Sequence, residues 1–171
     1  MMGVGEQLRG ALEAVAPTLR EPAVSLVVPG LNEAESLPLL AAQIKAALPD
    51  TPYELIFVDD GSTDNSWRVI SDLHAADPAV SGVRMRSNFG KAMALAAGFE
   101  RARADIVVMM DADLQDDPAD LPKMLEKIDE GLDVVVGWKV ERHDPLNRRI
   151  FSFIFNKTVG LVTGVHLHDM N

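Results

Sequence analysis

The sequence predicts an α/β domain: a mostly parallel sheet, Rossmann-like, with helices on both faces. Two observations carry that reading. Between Val24 and Val136, short apolar runs rich in β-branched residues alternate with longer stretches of helical periodicity. Polar and charged residues also collect just after each apolar run, at the carboxyl ends of the predicted strands. Ligands of such sheets bind there.

The elements follow in order. Residues 5–20 read as an amphipathic helix with Leu8, Leu12, Val15 and Leu19 along one side, broken at Pro17. Residues 1–22 are therefore expected to be an appendage to a domain over 23–171. Residues 24–28 are a first buried strand, ended by Pro29-Gly30, with a helix over 33–48. Residues 54–58 are a second strand running into Asp59-Asp60-Gly61-Ser62-Thr63-Asp64, with a helix over 66–76. A weaker third strand covers 80–85, and an Ala-rich helix covers 90–104. The run 105–110 is a fourth strand, expected to be buried on both faces. A helix over 119–131 and a fifth strand over 132–136 complete the alternation. Residues 145–164 read as a helix that is apolar nearly all round, a core or interface helix before a membrane-surface one. His166-Leu167-His168-Asp169 has the period of a strand edge.

Composition narrows the function. A formal net charge of -10 argues against bulk nucleic-acid binding, which needs a basic footprint. It also means that an anionic substrate must be met by a local cation. With no cysteine, disulfides, thiolate metal sites and a cysteine nucleophile are excluded. Residues 1–22 have no secretory h-region, and no apolar run reaches the roughly 18 residues that span a bilayer. Neither G-x-G-x-x-G after the first strand nor G-x-x-x-x-G-K-[ST] is present, so dehydrogenase-type dinucleotide binding is poorly supported and a P-loop is excluded.

The strongest chemical signal is Asp111-Ala112-Asp113-Leu114-Gln115-Asp116-Asp117-Pro118 at the end of the fourth strand. In extended backbone Asp111 and Asp113 point the same way, and Gln115 continues the alternation. Like charges facing one point repel unless a cation lies between them. Hard carboxylate oxygens suit Mg²⁺ or Mn²⁺ and leave positions open for phosphates. The competing reading is a solvated acidic turn. Asp59 and Asp60 offer acceptors for a nucleobase N–H or a ribose hydroxyl, whereas Asp64 is read as a helix cap. Asn32 and Glu33, Asn88 and Lys91, and Lys139 and Arg142 take the matching places after the first, third and fifth strands. Paired acids with separate cations fit a diphosphate.

Four motifs in order, Pro29-Gly30-Leu31-Asn32-Glu33, Val58-Asp59-Asp60-Gly61-Ser62, Asn88-Phe89-Gly90-Lys91 and Asp111 to Pro118, resemble the inverting family 2 glycosyltransferases. The resemblance is to the polyprenyl-phosphate subgroup, such as dolichyl-phosphate mannose synthase and bactoprenol glucosyltransferases. It implies a GT-A fold and a nucleotide-sugar donor. By that likeness Pro29, Leu31, Glu33, Val58 and Asp60 line the nucleoside pocket. Asp111, Asp113 and Gln115 hold Mg²⁺ or Mn²⁺ on the diphosphate, with Ala112 beside it. Lys139, Arg148 and Ser152 contact donor or acceptor phosphates, with Lys91 a further candidate. Position 31 departs from the family's frequent Tyr, and Lys139 from its usual Arg, so the bidentate fork is lost. Members also continue beyond His168-Asp169-Met170-Asn171, so a C-terminally incomplete domain is expected, with exposed apolar surface that favours self-association.

The implied acceptor is a polyprenyl phosphate. A phosphate monoester is largely dianionic at neutral pH and needs no general base. A hydroxyl acceptor needs one, and Asp169 is the late candidate. The expected place of work is the cytoplasmic face of the membrane, bound peripherally. The competing readings are a nucleotide- or partner-binding module without turnover, a nucleotidyltransferase, and a transferase acting on hydroxyls.

Overall fold

The computed structural model describes residues 21–137. The expected helix over 5–20, the apolar segment 145–164, His166, His168 and the site candidates Lys139, Arg142, Arg148, Ser152 and Asp169 lie outside those residues. The chain divides into two compact units, one up to Pro122 and one from Lys123.

In the first unit, strands β1 (Val24–Gly30), β2 (Tyr53–Asp59), β3 (Val80–Arg84) and β4 (Ile106–Met109) form one sheet in the order β3-β2-β1-β4. Every pairing is parallel; Val27 faces Ile56 across β1 and β2 and Met109 across β1 and β4. Helices α1 (Ser36–Ala47), α2 (Ser66–Ala76) and α3 (Lys91–Phe99) link the strands. The two central strands are the core: Leu26, Val27, Val28, Leu55, Phe57 and Val58 are buried. Alternation sorts them. Val27, Ile56 and Val58 pack with Ala94 of α3 on one face. Val28 and Phe57 meet Leu37 of α1 and Ile70 of α2 on the other. Helices on both faces follow, as the sequence predicts.

Three expectations need correcting. β4 is half-buried on one face and open on the other; Val107 and Met109 are 40% and 61% exposed, and β4 is an edge strand paired to β1 alone among the described residues. A continuous apolar run does not distinguish an edge from a centre. In the second unit, residues 132–136 form no strand, and Leu132, Val134 and Val136 are exposed. β-branched composition favours a strand only where a partner supplies the ladder. The third correction concerns α3, which ends at Phe99, short of residue 104.

The cause of that early end lies at the amino end of the sheet. Glu54 is buried and accepts hydrogen bonds from Ser25 Oγ (2.6 Å), Arg103 N (2.7 Å) and Arg103 Nε (2.8 Å). Ser25 Oγ in turn accepts from the N–H of Ala104 at 3.0 Å. The backbone N–H groups that would continue α3 are spent on this clasp, which turns the chain into β4. Burial works to raise the Glu54 carboxyl, but the hydrogen bonds from Ser25 and Arg103 and the Arg103 charge outweigh it, and the group is held below its ordinary value of 4.5.

Two other helices begin two or three residues later than predicted. α1 begins at Ser36 because Asn32 takes a left-handed turn (φ 60°) and Ser36 Oγ bonds back to Glu33. A 3₁₀ turn, Pro118–Asp120, precedes α4 (Leu121–Asp129), with Asp117 Oδ1 accepting from Ala119 N at 2.9 Å.

Two outcomes are expected. Gly98 of α3 lies so close to the sheet that an added Cβ would stand 2.3 Å from Val27 Cγ1 and 3.1 Å from Val58 Cγ2. Valine cannot rotate away cheaply, so Gly98→Ala should lower unfolding free energy by about 1–3 kcal/mol in urea titration. Glu54 is lowered in the folded state, so its contribution is complete above pH 4.5 and is lost as pH falls through the lower folded value. The stability advantage of wild type over Glu54→Gln should therefore shrink on acidification in that window, read by denaturant unfolding against pH.

Candidate active site

The loops that follow β1, β2, β3 and β4 all emerge at one edge of the sheet, as parallel strands require. The first two are braced to each other. Asn32 N donates to Ser62 Oγ (2.8 Å), and Asn32 Oδ1 accepts from Thr63 N (2.9 Å). Glu33 N donates to Ser66 Oγ at 2.8 Å. Asp64, read from sequence as the cap, stands one residue before the N-cap position, which is Asn65, and accepts from Ser66 N at 2.9 Å and Ser66 Oγ at 2.6 Å. The hydrogen bond from Ser66 holds the Asp64 carboxyl below the usual carboxylate range.

The second loop is fixed to the third. Asp60 is buried, and its two oxygens accept from Phe89 N (2.8 Å) and Gly90 N (2.9 Å). Gly61 has φ 78°, and a Cβ there would meet the Ser87 and Asn88 backbone at 2.5–2.7 Å. Asp59, 1% exposed, accepts from Ser62 N at 2.8 Å, and its other oxygen faces Arg84 Nε at 3.4 Å. Arg84 also lies over the Trp67 ring, 5.7 Å from its centroid. Asn32, Ser62, Ser66 and Arg84 carry none of the predicted ligand roles, yet they shape the site; hydroxyl and amide residues beside two strand ends were the available signal.

The third loop reaches the fourth. Lys91, first residue of α3, donates to Asp111 Oδ1 at 2.5 Å. Ala112 is buried against the first loop, where a Cβ on Gly30 would stand 3.3 Å from its own. The acid loop itself departs from the expected extended chain. Residues 112–113 form a turn, and Leu114 has φ 61°. The alternation that would place Gln115 in phase with Asp111 and Asp113 is broken there. Gln115 instead donates its backbone N–H to Asp113 Oδ1 at 3.0 Å, and Asp111 N donates to Asp116 Oδ2 at 3.4 Å.

Glu33, Asp60, Lys91, Asp111 and Asp113 are thus brought into one cluster of loops. Pro29 and the Val58 side chain are buried in the sheet, so they face no open surface, while Leu31 is 40% exposed. The cleft between Gly30, Glu33, Phe57 and Asp59, about 10 Å³, has room for about one water molecule and is no ligand pocket by itself. Among the described residues, no three His, Cys, Asp or Glu side chains converge on a metal position. Asp111 and Asp113 are a partial hard-oxygen set of the kind that Mg²⁺ or Mn²⁺ completes with phosphate and water, and the turn at Leu114 takes Gln115 out of phase with them. The Lys91 ammonium on Asp111 shows that this carboxylate is turned towards a cation.

The sheet, its helices and these loops define a GT-A, Rossmann-like domain. The chain belongs to glycosyl transferase family 2, whose sequence pattern matches residues 25–164. An undecaprenyl-phosphate 4-deoxy-4-formamido-L-arabinose transferase of Aeromonas hydrophila is 40% identical over 149 residues, covering 85% of this chain and 46% of that protein. A dodecaprenyl-phosphate galacturonate synthase of Rhizobium johnstonii is 40% identical over 154 residues, covering 85% and 45%. The chain thus spans a little under half the length of these relatives. Among solved structures, a mannosyltransferase of Pyrobaculum calidifontis, in complex with GDP-Man and Mn²⁺, is 26% identical with a TM-score of 0.55 over 72% of this chain and 39% of that one. Glucosyl-3-phosphoglycerate synthase of Mycobacterium tuberculosis, solved with Mn²⁺ and UDP-glucose, shares the fold at 23% identity, TM-score 0.62, over 91% and 54%.

Gly61 should tolerate no side chain, since both its φ and the Ser87–Asn88 backbone oppose one. Gly61→Ala should cost about 1–3 kcal/mol of stability in urea titration.

Proposed function

We propose that this domain transfers a sugar from a nucleoside-diphosphate sugar to a polyprenyl phosphate, with inversion at the anomeric carbon. The observation that carries the reading is the acid loop Asp111–Gln115 at the end of β4, with Lys91 set against it, in a chain 40% identical to two polyprenyl-phosphate sugar enzymes. In this reading Asp111 and Asp113, with Gln115, hold Mg²⁺ or Mn²⁺. When bound, the divalent ion neutralises charge on the diphosphate leaving group. The loops after β1 and β2, with Leu31, Glu33 and Asp60, take the nucleoside, and Pro29 and Val58 lie buried in the strands beneath them. Lys139, Arg148 and Ser152 serve the phosphates.

The acceptor supplies its own nucleophile. A phosphate oxygen of the lipid bonds to the anomeric carbon as the bond to the donor diphosphate breaks, and the nucleoside diphosphate departs. A dianionic phosphate requires no base, so Asp169 has no proton to take. Such an acceptor places the work at a membrane surface. Among the described residues no helix is long and apolar enough to cross a membrane.

Calorimetric titration of UDP and GDP, with and without Mn²⁺, tests the donor site. Metal-dependent binding should appear for one nucleotide in wild type and fall at least tenfold in Asp113→Ala. The same protein is then given the matching nucleotide sugar and undecaprenyl phosphate in detergent. Formation of the lipid-linked sugar supports transfer; nucleotide binding without product leaves a donor-binding module. No binding under any condition removes the reading.

A further inference from the structure

Lys91 and a divalent ion have the same use for Asp111. The ammonium already rests on Asp111 Oδ1 at 2.5 Å, and a metal drawn to that carboxylate would meet a like charge at contact distance. We propose that the two take turns. Lys91 holds Asp111 while the site is without metal, is displaced when the divalent ion arrives, and then becomes a ligand of the donor diphosphate. This rests on the donor-site reading above.

Three features favour exchange over a permanent pair. First, the pair is open to solvent, with the Lys91 side chain 61% and the Asp111 side chain 41% exposed. Exposed pairs of this kind are weak and break readily. Second, the anchor of Lys91 is rigid while its side chain is not. Asp60 fixes the N–H groups of Phe89 and Gly90, the two residues before it, so the Cα of Lys91 is held at the mouth of the site. Its four-carbon stem can still swing a point charge through several ångströms. Third, Asp111 belongs to an acidic loop with Asp113 and Asp116, in a chain of net charge -10. A diphosphate entering that loop needs positive charge beyond that which Asp111 and Asp113 consume on a metal. A lysine released at that moment supplies it.

The test compares wild type, Lys91→Met and Lys45→Met, the last removing the same charge from α1, where Lys45 pairs with Asp77 at the end of α2. Mn²⁺ alone is titrated by electron paramagnetic resonance of the free ion, without nucleotide. Lys91→Met should bind Mn²⁺ about two- to five-fold tighter than wild type, and Lys45→Met should match wild type. With Mn²⁺ present, Lys91→Met should bind the nucleoside diphosphate several-fold more weakly. In unaltered protein, acetylation of the Lys91 amine, followed by mass spectrometry, should accelerate when Mn²⁺ binds. Equal or weaker Mn²⁺ binding by Lys91→Met, or a Lys91 acetylation rate that bound Mn²⁺ leaves unchanged, overturns the exchange and leaves the donor site standing. Absence of Mn²⁺ binding by wild type without nucleotide overturns the exchange, and its absence with the nucleoside diphosphate present as well overturns the donor-site reading itself.

Discussion

Asp60 follows β2 directly with each carboxylate oxygen on a different backbone N–H, those of Phe89 and Gly90, and the arrangement of the other loops depends on this clamp. Asp60 is buried, so its charge is stabilised by donors that water cannot easily replace. Loss of the carboxylate would take the acceptor from the Phe89 N–H and leave the Gly90 N–H with Asn88 Oδ1 alone. Gly61 follows because the turn must press against Ser87 and Asn88. Lys91 then begins α3 at a fixed point, within reach of Asp111. A tie between sheet ends 29 residues apart thus determines where a cation can stand.

The clamp bears on the role that resemblance gives to Asp60. Both of its oxygens are engaged with backbone, yet each carboxylate oxygen has a second lone pair. An N–H of a base could share the group without breaking the clamp. The buried acid would then position the third loop and orient the donor together. Asp59 beside it is separate: it closes the turn through Ser62 and faces Arg84, which rests on Trp67. Two adjacent acids therefore do different work because alternation sends one inward towards β3 and the other to the next loop.

Much of this was legible from residues alone. β1, β2 and α2 lie within two residues of their predicted bounds, since unbroken apolar runs and a capped amphipathic segment carry their own signals. The gathering of Glu33, Asp60, Lys91, Asp111 and Asp113 at one end followed from strand–helix alternation. What could not be read depends on distant partners. α3 stops early because Ser25 and Glu54 take its next N–H groups. The run 132–136 has the composition of a strand without a ladder to join. Leu114 sits at positive φ, which few leucines adopt, and this turns Gln115 out of the predicted phase. Lys91 was expected on a phosphate, and its pairing with Asp111 becomes visible only when loops 20 residues apart are brought together.

The two carboxylates at the centre of the site differ in burial, and the difference separates structure from function. Asp60, 5% exposed, has rigid backbone donors, so opening the clamp would strand a charge in a poorly solvated place. Asp111, its side chain 41% exposed, is matched by a mobile ammonium that water can replace on both sides. Coulomb attraction between unit charges at contact falls from several kcal/mol near a partly buried pair to about 1 kcal/mol in bulk water. A carboxylate is therefore held durably by buried backbone donors at one position and reversibly by an exposed charge at the other. A site that must admit a highly charged donor needs both: a framework that does not yield, and a surface charge that does.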